Sequence, residues 1–250
     1  MTAEKPGFEA AALMALEEHY PDCVCAIAAG SVLRGEATEK SDIDMVVLYG
    51  DDFTDIHRFS AVVAGWPFEF FVHNAQAQDY FMDRDRQRGM CVMMDMIANG
   101  RILPENAPLA LAQRAKAEKL IAAGPDPLTE TEIEDRRYFI TDTLDDLDTC
   151  KAALDMYGTL ANLYNQLGDF YLRAQGKWSG HGKALGRILR REDAALAAEF
   201  EQAFTAAYGR DYAPVMALGE KILAPYGGRC FAGLKRAASG DWRSFGKETG

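Results

Sequence analysis

The sequence predicts an α/β (α+β) domain followed by an all-helical domain, and two features of the 250-residue chain support this prediction. Short apolar runs typical of buried strands alternate with helical patterns up to about residue 104. Beyond that point the apolar residues recur at spacings of three, four and seven, which is typical of helices packed around a core. The predicted domains are therefore residues 1–104 and residues 105–250.

The first domain is predicted from a change of pattern between neighbouring segments. Phe8, Ala12 and Leu16 recur at helical spacing, so a helix is expected over 8–19, ending before Pro21. The following segments are predicted as a strand (23–28), a short helix (32–34), a strand (43–49), a helix (54–64), a strand (68–73), a long helix (75–98) and an extended piece (102–104).

The second domain shows helical patterns only. Thr129 and Glu132 form a capping box that starts a helix, and the apolar stripe Ile133, Ile140, Leu144, Leu147 and Leu154 continues from it. The other predicted helices cover 107–122, 160–175, 182–190, 194–208 and 215–223. Nine acidic residues against two arginines lie between Asp126 and Asp148. This excess fits either a solvated helix face or a field that attracts a polycationic ligand.

The overall charge argues against polyanionic partners. Acidic residues outnumber Lys and Arg by 38 to 27, which gives a formal net charge of −11, and no Lys/Arg-rich block occurs. Long nucleic acids and anionic membranes are therefore disfavoured as partners. The N-terminus lacks the pattern of a signal peptide, and no apolar stretch approaches about 20 residues, the length of a membrane span. We expect a cytoplasmic protein that acts on a small molecule or on another protein.

Asp42 and Asp44 form the central motif. At positions i and i+2 of a strand their carboxylates point to the same face, while Ile43 and Met45 point into the core. Two neighbouring carboxylates repel each other unless a cation lies between them. Because Mg²⁺ binds carboxylate oxygens and completes its shell with water and phosphates, this pair is a candidate magnesium site.

Gly30-Ser31 lies upstream, directly after the first buried strand and before the short predicted helix. Glycine lets the backbone approach a phosphate closely, and a helix N-terminus offers free N–H groups to an anion. Ser31 adds a hydroxyl, and Arg34 could bring a cation to the same phosphates. A simple strand-to-helix turn with a serine cap is the alternative interpretation.

Glu69 lies among Phe68, Phe70 and Phe71, where a carboxylate is costly to bury without a partner. If its strand lies beside that of Asp42 and Asp44, Glu69 completes a set of three carboxylates. His73 falls on the same strand face and is interpreted either as a site residue or as a structural histidine.

These motifs resemble the signature of the DNA polymerase β-like nucleotidyltransferase superfamily. The matching residues are Gly30-Ser31, Arg34-Gly35, Ser41-Asp42-Ile43-Asp44 and the later strand carboxylate Glu69. The details look most like the bacterial branch that includes kanamycin and other aminoglycoside nucleotidyltransferases and small antitoxin-type transferases. The resemblance implies a short mixed sheet and a helical lobe on the acceptor side.

The same resemblance implies a Mg²⁺-dependent transfer of a nucleoside monophosphate, AMP from ATP, to a hydroxyl group of a small acceptor, with release of pyrophosphate. Asp42, Asp44 and Glu69 would be catalytic and hold two Mg²⁺ ions, and Gly30, Ser31, Arg34 and Ser41 would bind the nucleotide. A homo-oligomer is compatible with this assignment. The alternatives are an antitoxin-like adenylyltransferase that modifies a protein, and a non-catalytic nucleotide-binding regulatory module.

A glycine-rich loop over 176–183 is the second candidate for nucleotide contacts. Lys177 and Lys183 would supply positive charge to a triphosphate, and Trp178 would stack on the base. The alternative is a tight turn between helices with Trp178 packed in the core.

Overall fold

The computed structural model describes residues 5–33, 35, 38, 40–238 and 240, which pack as two compact units. The first unit runs to Pro127 and includes Gln175–Gly180, and the second comprises Leu128–Ala174 and the residues from His181 onwards. The first unit extends past residue 104 because the helix Pro108–Ala123 packs its alanines against the helix before it. The sequence-based division at residue 104 stays a prediction.

The first unit is built on a five-stranded sheet with the strand order β3-β4-β2-β1-β5. Its strands are β1 (Cys25–Ala29), β2 (Ile43–Leu48), β3 (His57–Val63), β4 (Trp66–His73) and β5 (Arg101–Leu103). Its helices are α1 (Phe8–His19), α2 (Ala75–Arg88), α3 (Val92–Asn99) and α4 (Pro108–Ala123). The β2–β4 pair is parallel and the other pairs are antiparallel. The predicted mixed sheet is therefore confirmed.

Both faces of the sheet are covered, because apolar side chains alternate along its central strands. Met45 and Val47 of β2 belong to the core that contains the buried alanines of α1. Val46 and Leu48 point the other way, into the core that contains residues of α2, α3 and α4. Full burial of such a side chain contributes about 1.5–3 kcal/mol. The two cores fix the register of β2 and hence the direction of every side chain on it.

The predicted helix over 54–64 is wrong, because His57–Val63 forms β3. This strand pairs with β4 along its whole length, from His57 opposite Val72 to Val63 opposite Trp66. Ala64 and Gly65 connect the two strands with φ values of 49° and 82°. Positive φ at both positions is typical of the tight turn that joins a two-residue hairpin. The pairing with β4 outweighs the local helical pattern.

The long helix predicted over 75–98 is broken into α2 and α3. Gly89 ends α2 in the left-handed conformation, with φ 72°. The buried carboxylate of Asp85 then accepts a hydrogen bond of 2.7 Å from the backbone N–H of Met93, in the first turn of α3. The start of α3 therefore depends on a hydrogen bond from a side chain of α2. The spacing of apolar residues does not indicate such a bond.

The described residues of the second unit form helices and connecting loops and no strand. Its helices are α5 (Glu130–Thr149), α6 (Ala153–Arg173), α7 (Lys183–Glu192), α8 (Ala194–Tyr208) and α9 (Ala213–Leu223). The capping box of Thr129 and Glu132 is confirmed. Leu154 is 80% exposed and does not continue the predicted stripe, because α5 ends at Thr149 and α6 begins a new helix. No helix in the described part of the chain is long and apolar enough to cross a bilayer.

The acidic helix α5 carries the chain's C-terminal segment along one side. Arg229 pairs with Asp145 at 2.5 Å, and Arg236 pairs with Glu134 at 2.5 Å and Asp135 at 2.6 Å. Several of the acidic side chains that could attract a cationic ligand are thus already compensated within the second unit.

Candidate active site

Asp44 and Glu69 occupy matched positions on neighbouring strands. In the parallel β2–β4 pair, Asp44 lies opposite Glu69, and strands in such a pair are about 4.8 Å apart. Asp42 lies two residues before Asp44, just ahead of β2, and is exposed. The structure thus brings the three predicted carboxylates to one region of the sheet, with Asp44 and Glu69 adjacent.

Gly30 follows β1 directly and lies against the same region. Its φ of 124° is a conformation that L-residues with side chains rarely adopt. A Cβ atom at this position would lie 3.1 Å from the carbonyl oxygen of Asp42 and 3.7 Å from Oδ2 of Asp44. The missing side chain therefore keeps the space beside the Asp44 carboxylate open, as close backbone approach to a ligand requires.

The side chains of Ser31 and Ser41 are hydrogen-bonded to each other in the loop between β1 and β2. The Ser31 hydroxyl donates to Oγ of Ser41 at 2.9 Å, and the backbone N–H of Thr38 donates to the same oxygen at 2.8 Å. Residues 31–33 form turns rather than the start of the predicted helix. Arg34, the predicted phosphate-binding cation, lies outside the described residues. Ser41 is buried, so its hydroxyl orders the loop that leads into Asp42.

Arg58 is a residue of this region that the sequence interpretation missed. Arg58 is on β3, opposite Phe71 of β4. Its guanidinium therefore reaches diagonally to Glu69 and forms an ion pair with that carboxylate. The guanidinium carbon also lies 5.0 Å from the centre of the Phe71 ring. This contact was missed because a helix was predicted over 54–64. Alternation along a strand would have placed Arg58 on the same face as Glu69.

The carboxylates match magnesium in donor chemistry, since Mg²⁺ prefers oxygen ligands and keeps several waters. Among the residues that the structure describes, however, no three His, Cys, Asp or Glu side chains are arranged as a ready metal site. Arg58 is the cation that now compensates Glu69. Asp42, Asp44 and Glu69 are the residues that would hold a metal, and Glu69 would do so in place of its ion pair with Arg58.

His73 has the environment of a structural histidine. It is 4% exposed, stacks on Phe81 with ring centres 4.7 Å apart, and donates from Nδ1 to Oε1 of Gln78 at 2.9 Å. Burial is the main cause that lowers the pKa of His73 below its ordinary value of 6.5. The folded protein therefore favours the neutral imidazole.

We expect His73 to make stability dependent on pH in the acidic range. The unfolded chain binds a proton at this side chain from about pH 6.5 downwards, whereas the folded protein resists it. The contribution of His73 to the free energy of unfolding is present above that pH. It is lost at up to about 1.4 kcal/mol per pH unit as the pH falls towards the lower pKa of the folded state. Urea denaturation between pH 7.5 and 5 would measure it.

The variant His73→Gln should show a weaker loss of stability than the parent over the same range of pH. Identical profiles for the parent and His73→Gln would contradict the assignment.

The glycine-rich loop is divided between the two units. Lys177 and Trp178 lie in Gln175–Gly180 of the first unit, and Lys183 begins α7 in the second. Trp178 packs on the core beneath α4, and its indole N–H donates to the Ile121 carbonyl at 3.1 Å. The core interpretation of Trp178 is therefore the one the structure supports. Nucleotide binding by Lys177 and Lys183 stays a prediction.

Residues 13–93 match a family model described as "Nucleotidyltransferase domain". This segment contains Gly30, Asp42, Asp44 and Glu69, and the match confirms the prediction of a nucleotidyltransferase domain. The kanamycin-like branch stays a prediction. No curated protein is detectably similar to the chain in sequence. Among solved structures, the chain is similar to a nucleotidyltransferase-like protein from Exiguobacterium sibiricum 255-15, with 12% identity and a TM-score of 0.41 over 88% of this chain and 79% of that chain.

Proposed function

We propose that this chain, which carries a nucleotidyltransferase domain in residues 13–93, transfers AMP from ATP to a hydroxyl group of a small acceptor and releases pyrophosphate. The observation that carries the proposal is the register of β2 and β4, which sets Asp44 directly opposite Glu69. Gly30 and Asp42 lie beside this pair. A nucleotidyl transfer needs carboxylates that hold cations next to a backbone that can approach phosphates, and these residues supply both.

Each residue of the candidate site would have a distinct role in the transfer. Asp42 and Asp44 would hold the two Mg²⁺ ions, with Glu69 completing the set, and the ions supply positive charge beside the triphosphate and the acceptor oxygen. The backbone at Gly30 and the hydroxyls of Ser31 and Ser41 would orient the phosphates. Because catalysis of this kind consists mainly of positioning and charge stabilisation, the two adjacent inner strands β2 and β4 are a suitable platform.

The reaction balances without any further reactant. The acceptor oxygen attacks the α-phosphorus in line and loses its proton to solvent water, and the bond from that phosphorus to the bridging oxygen breaks. Pyrophosphate leaves with the electron pair, and the acceptor carries the AMP as a phosphodiester. The most direct test is incubation with each labelled nucleoside triphosphate, Mg²⁺ and a panel of hydroxylated acceptors. We expect pyrophosphate release with ATP; no release with any pair of substrates would contradict the proposal.

A second test measures binding without turnover. At an ATP concentration about 100 times its dissociation constant, mass action stabilises the native state by about 2.7 kcal/mol. For a chain of this size that corresponds to a rise in melting temperature of roughly 5–10 °C. We expect the rise in the presence of Mg²⁺ and only a small part of it in EDTA.

The double variant Asp42→Asn/Asp44→Asn should lose the Mg²⁺-dependent part of this rise and keep its fold. Equal melting temperatures in Mg²⁺ and EDTA for the ATP complex of the parent would contradict a site built on these carboxylates.

A further inference from the structure

A cleft of about 310 Å³ lies in the second unit, between α5 and α6. Helix α5 lines it with Arg136, Phe139 and Ile140, and helix α6 lines it with Asn162, Gln166 and Asp169. This volume is at the lower end of the range of about 300–1,000 Å³ that is typical of small-molecule sites. The cleft lies wholly within the helical unit and shares no residue with the carboxylate site of the sheet.

The floor and one wall of the cleft are apolar. Ile140 is buried at its base, while the side chain of Phe139 is 57% exposed. Its ring packs edge to face with Tyr138, with ring centres 5.5 Å apart, and the rest of it offers apolar surface at the edge of the cleft. A ligand with one apolar face would remove this surface from water.

The two oppositely charged side chains of the cleft, Arg136 and Asp169, compensate each other. Arg136 and Asp169 form an ion pair across it, and the Asp169 side chain is only 15% exposed. Asn165 is held in place, since its Nδ2 donates to the Ala161 carbonyl at 2.8 Å and its Oδ1 accepts from the Gly182 N–H at 3.3 Å. The carboxylate and the guanidinium of the cleft therefore offset each other, Asn165 is a fixed hydrogen-bonding group, and the His181 imidazole completes the polar lining.

Gln166 stands apart from these groups. Its Oε1 atom is buried and accepts no hydrogen bond from any described residue. Buried polar atoms in folded proteins nearly always have a partner, so an acceptor of this kind on the wall of a cleft indicates a missing donor. A ligand hydroxyl is such a donor, and it can at the same time accept from a guanidinium such as that of Arg136.

We propose that this cleft binds a small neutral ring that bears several hydroxyl groups, such as a monosaccharide or a cyclitol. The carbon–hydrogen face of such a ring would pack on Phe139. Its hydroxyls, which both donate and accept, would contact Gln166 and the Arg136–Asp169 pair. This site goes beyond the transfer reaction proposed above and does not depend on it.

Other small ligands match the cleft less well. A polycation finds one carboxylate here, already paired with Arg136, and the acidic face of α5 is partly compensated by Arg229 and Arg236. An anion meets a guanidinium that is already paired with Asp169. A nucleobase carries its polar atoms in the plane of its ring, whereas the polar groups of the cleft come from both helices and extend along α6 over two turns.

The test uses the full chain and two probes, methyl α-D-glucopyranoside and myo-inositol, with binding followed by saturation-transfer NMR. We expect both probes to bind the parent, and Gln166→Leu to raise their dissociation constants roughly tenfold or more. The same variant should melt at an equal or higher temperature, because leucine fills a similar space without an unsatisfied oxygen. A residue with only a structural role would not combine weaker binding with unchanged or greater stability.

A second variant and a matched control complete the experiment. Phe139→Ala should weaken the binding of both probes without loss of fold, since Phe139 is more than half exposed. The control is Gln202→Leu on the exposed face of α8, which should leave the binding of both probes unchanged. Failure of both probes to bind the parent would overturn the proposal. So would binding that survives the Gln166 and Phe139 exchanges, or tighter binding of the dication 2-deoxystreptamine that is lost in the same two variants.

Discussion

Replacement of Asp44 by asparagine should lower the rate of pyrophosphate release by roughly a thousandfold or more. Metal-assisted stabilisation of the transferring phosphoryl group amounts to several kcal/mol, and each 1.36 kcal/mol corresponds to a factor of ten in rate. Asparagine has nearly the same shape as aspartate, so the backbone of β2 and its register with β4 should persist. The loss would therefore be a loss of charge at the position opposite Glu69.

The matched control is Asp51→Asn, an exposed aspartate in the turn that follows β2. It lies on the same segment and carries the same charge, and it is expected to keep the parental rate. Thermal unfolding of both variants would show that the fold is intact. A rate for Asp44→Asn within tenfold of the parent would place the chemistry elsewhere in the molecule.

Replacement of Phe70 by alanine should lower the free energy of unfolding by about 3–5 kcal/mol, the range for removing a buried aromatic ring. Phe70 is fully buried on β4 and packs between Tyr20 and Phe68, with ring centres 5.1 Å and 5.5 Å away. The surrounding rings belong to different elements and cannot all move into the space left behind. Chemical denaturation would measure the change.

Val62→Ala on β3 is the control for this prediction, because Val62 is 72% exposed and its truncation should change stability by no more than about 0.5 kcal/mol. Phe70 points away from its neighbour Glu69, so the folded fraction of Phe70→Ala should retain most of the parental transfer rate. A loss of less than about 1 kcal/mol would mean that the core beside α1 is loosely packed.

The parts of the fold that depend on local pattern could be predicted from the sequence. The β-branched, apolar run around Val46 and Val47 predicts a buried strand, and the two aspartates at its start stand out against that run. The helix Phe8–His19 and the capping box at Thr129 follow from spacing and capping chemistry in the same way.

The parts that depend on contacts distant in sequence could not be predicted. The segment His57–Val63 is a strand because β4 pairs with it, and the Arg58–Glu69 ion pair follows from that pairing. Similarly, Gly89 ends α2, and the Asp85 carboxylate then accepts a hydrogen bond from Met93 at the start of α3, eight residues along the chain. The cleft of the helical unit arises from the way α5 and α6 face each other, which apolar spacing alone does not describe.

The position of β3 at the margin of the sheet has a consequence for self-association. One side of this seven-residue strand pairs with β4, and its other row of backbone N–H and C=O groups can template a strand from another molecule. The segment contains no proline, and Phe59 and Val62 are exposed on it. Arg58 is its single Lys or Arg, so the guanidinium that holds Glu69 is also the gatekeeper charge that opposes edge-to-edge aggregation.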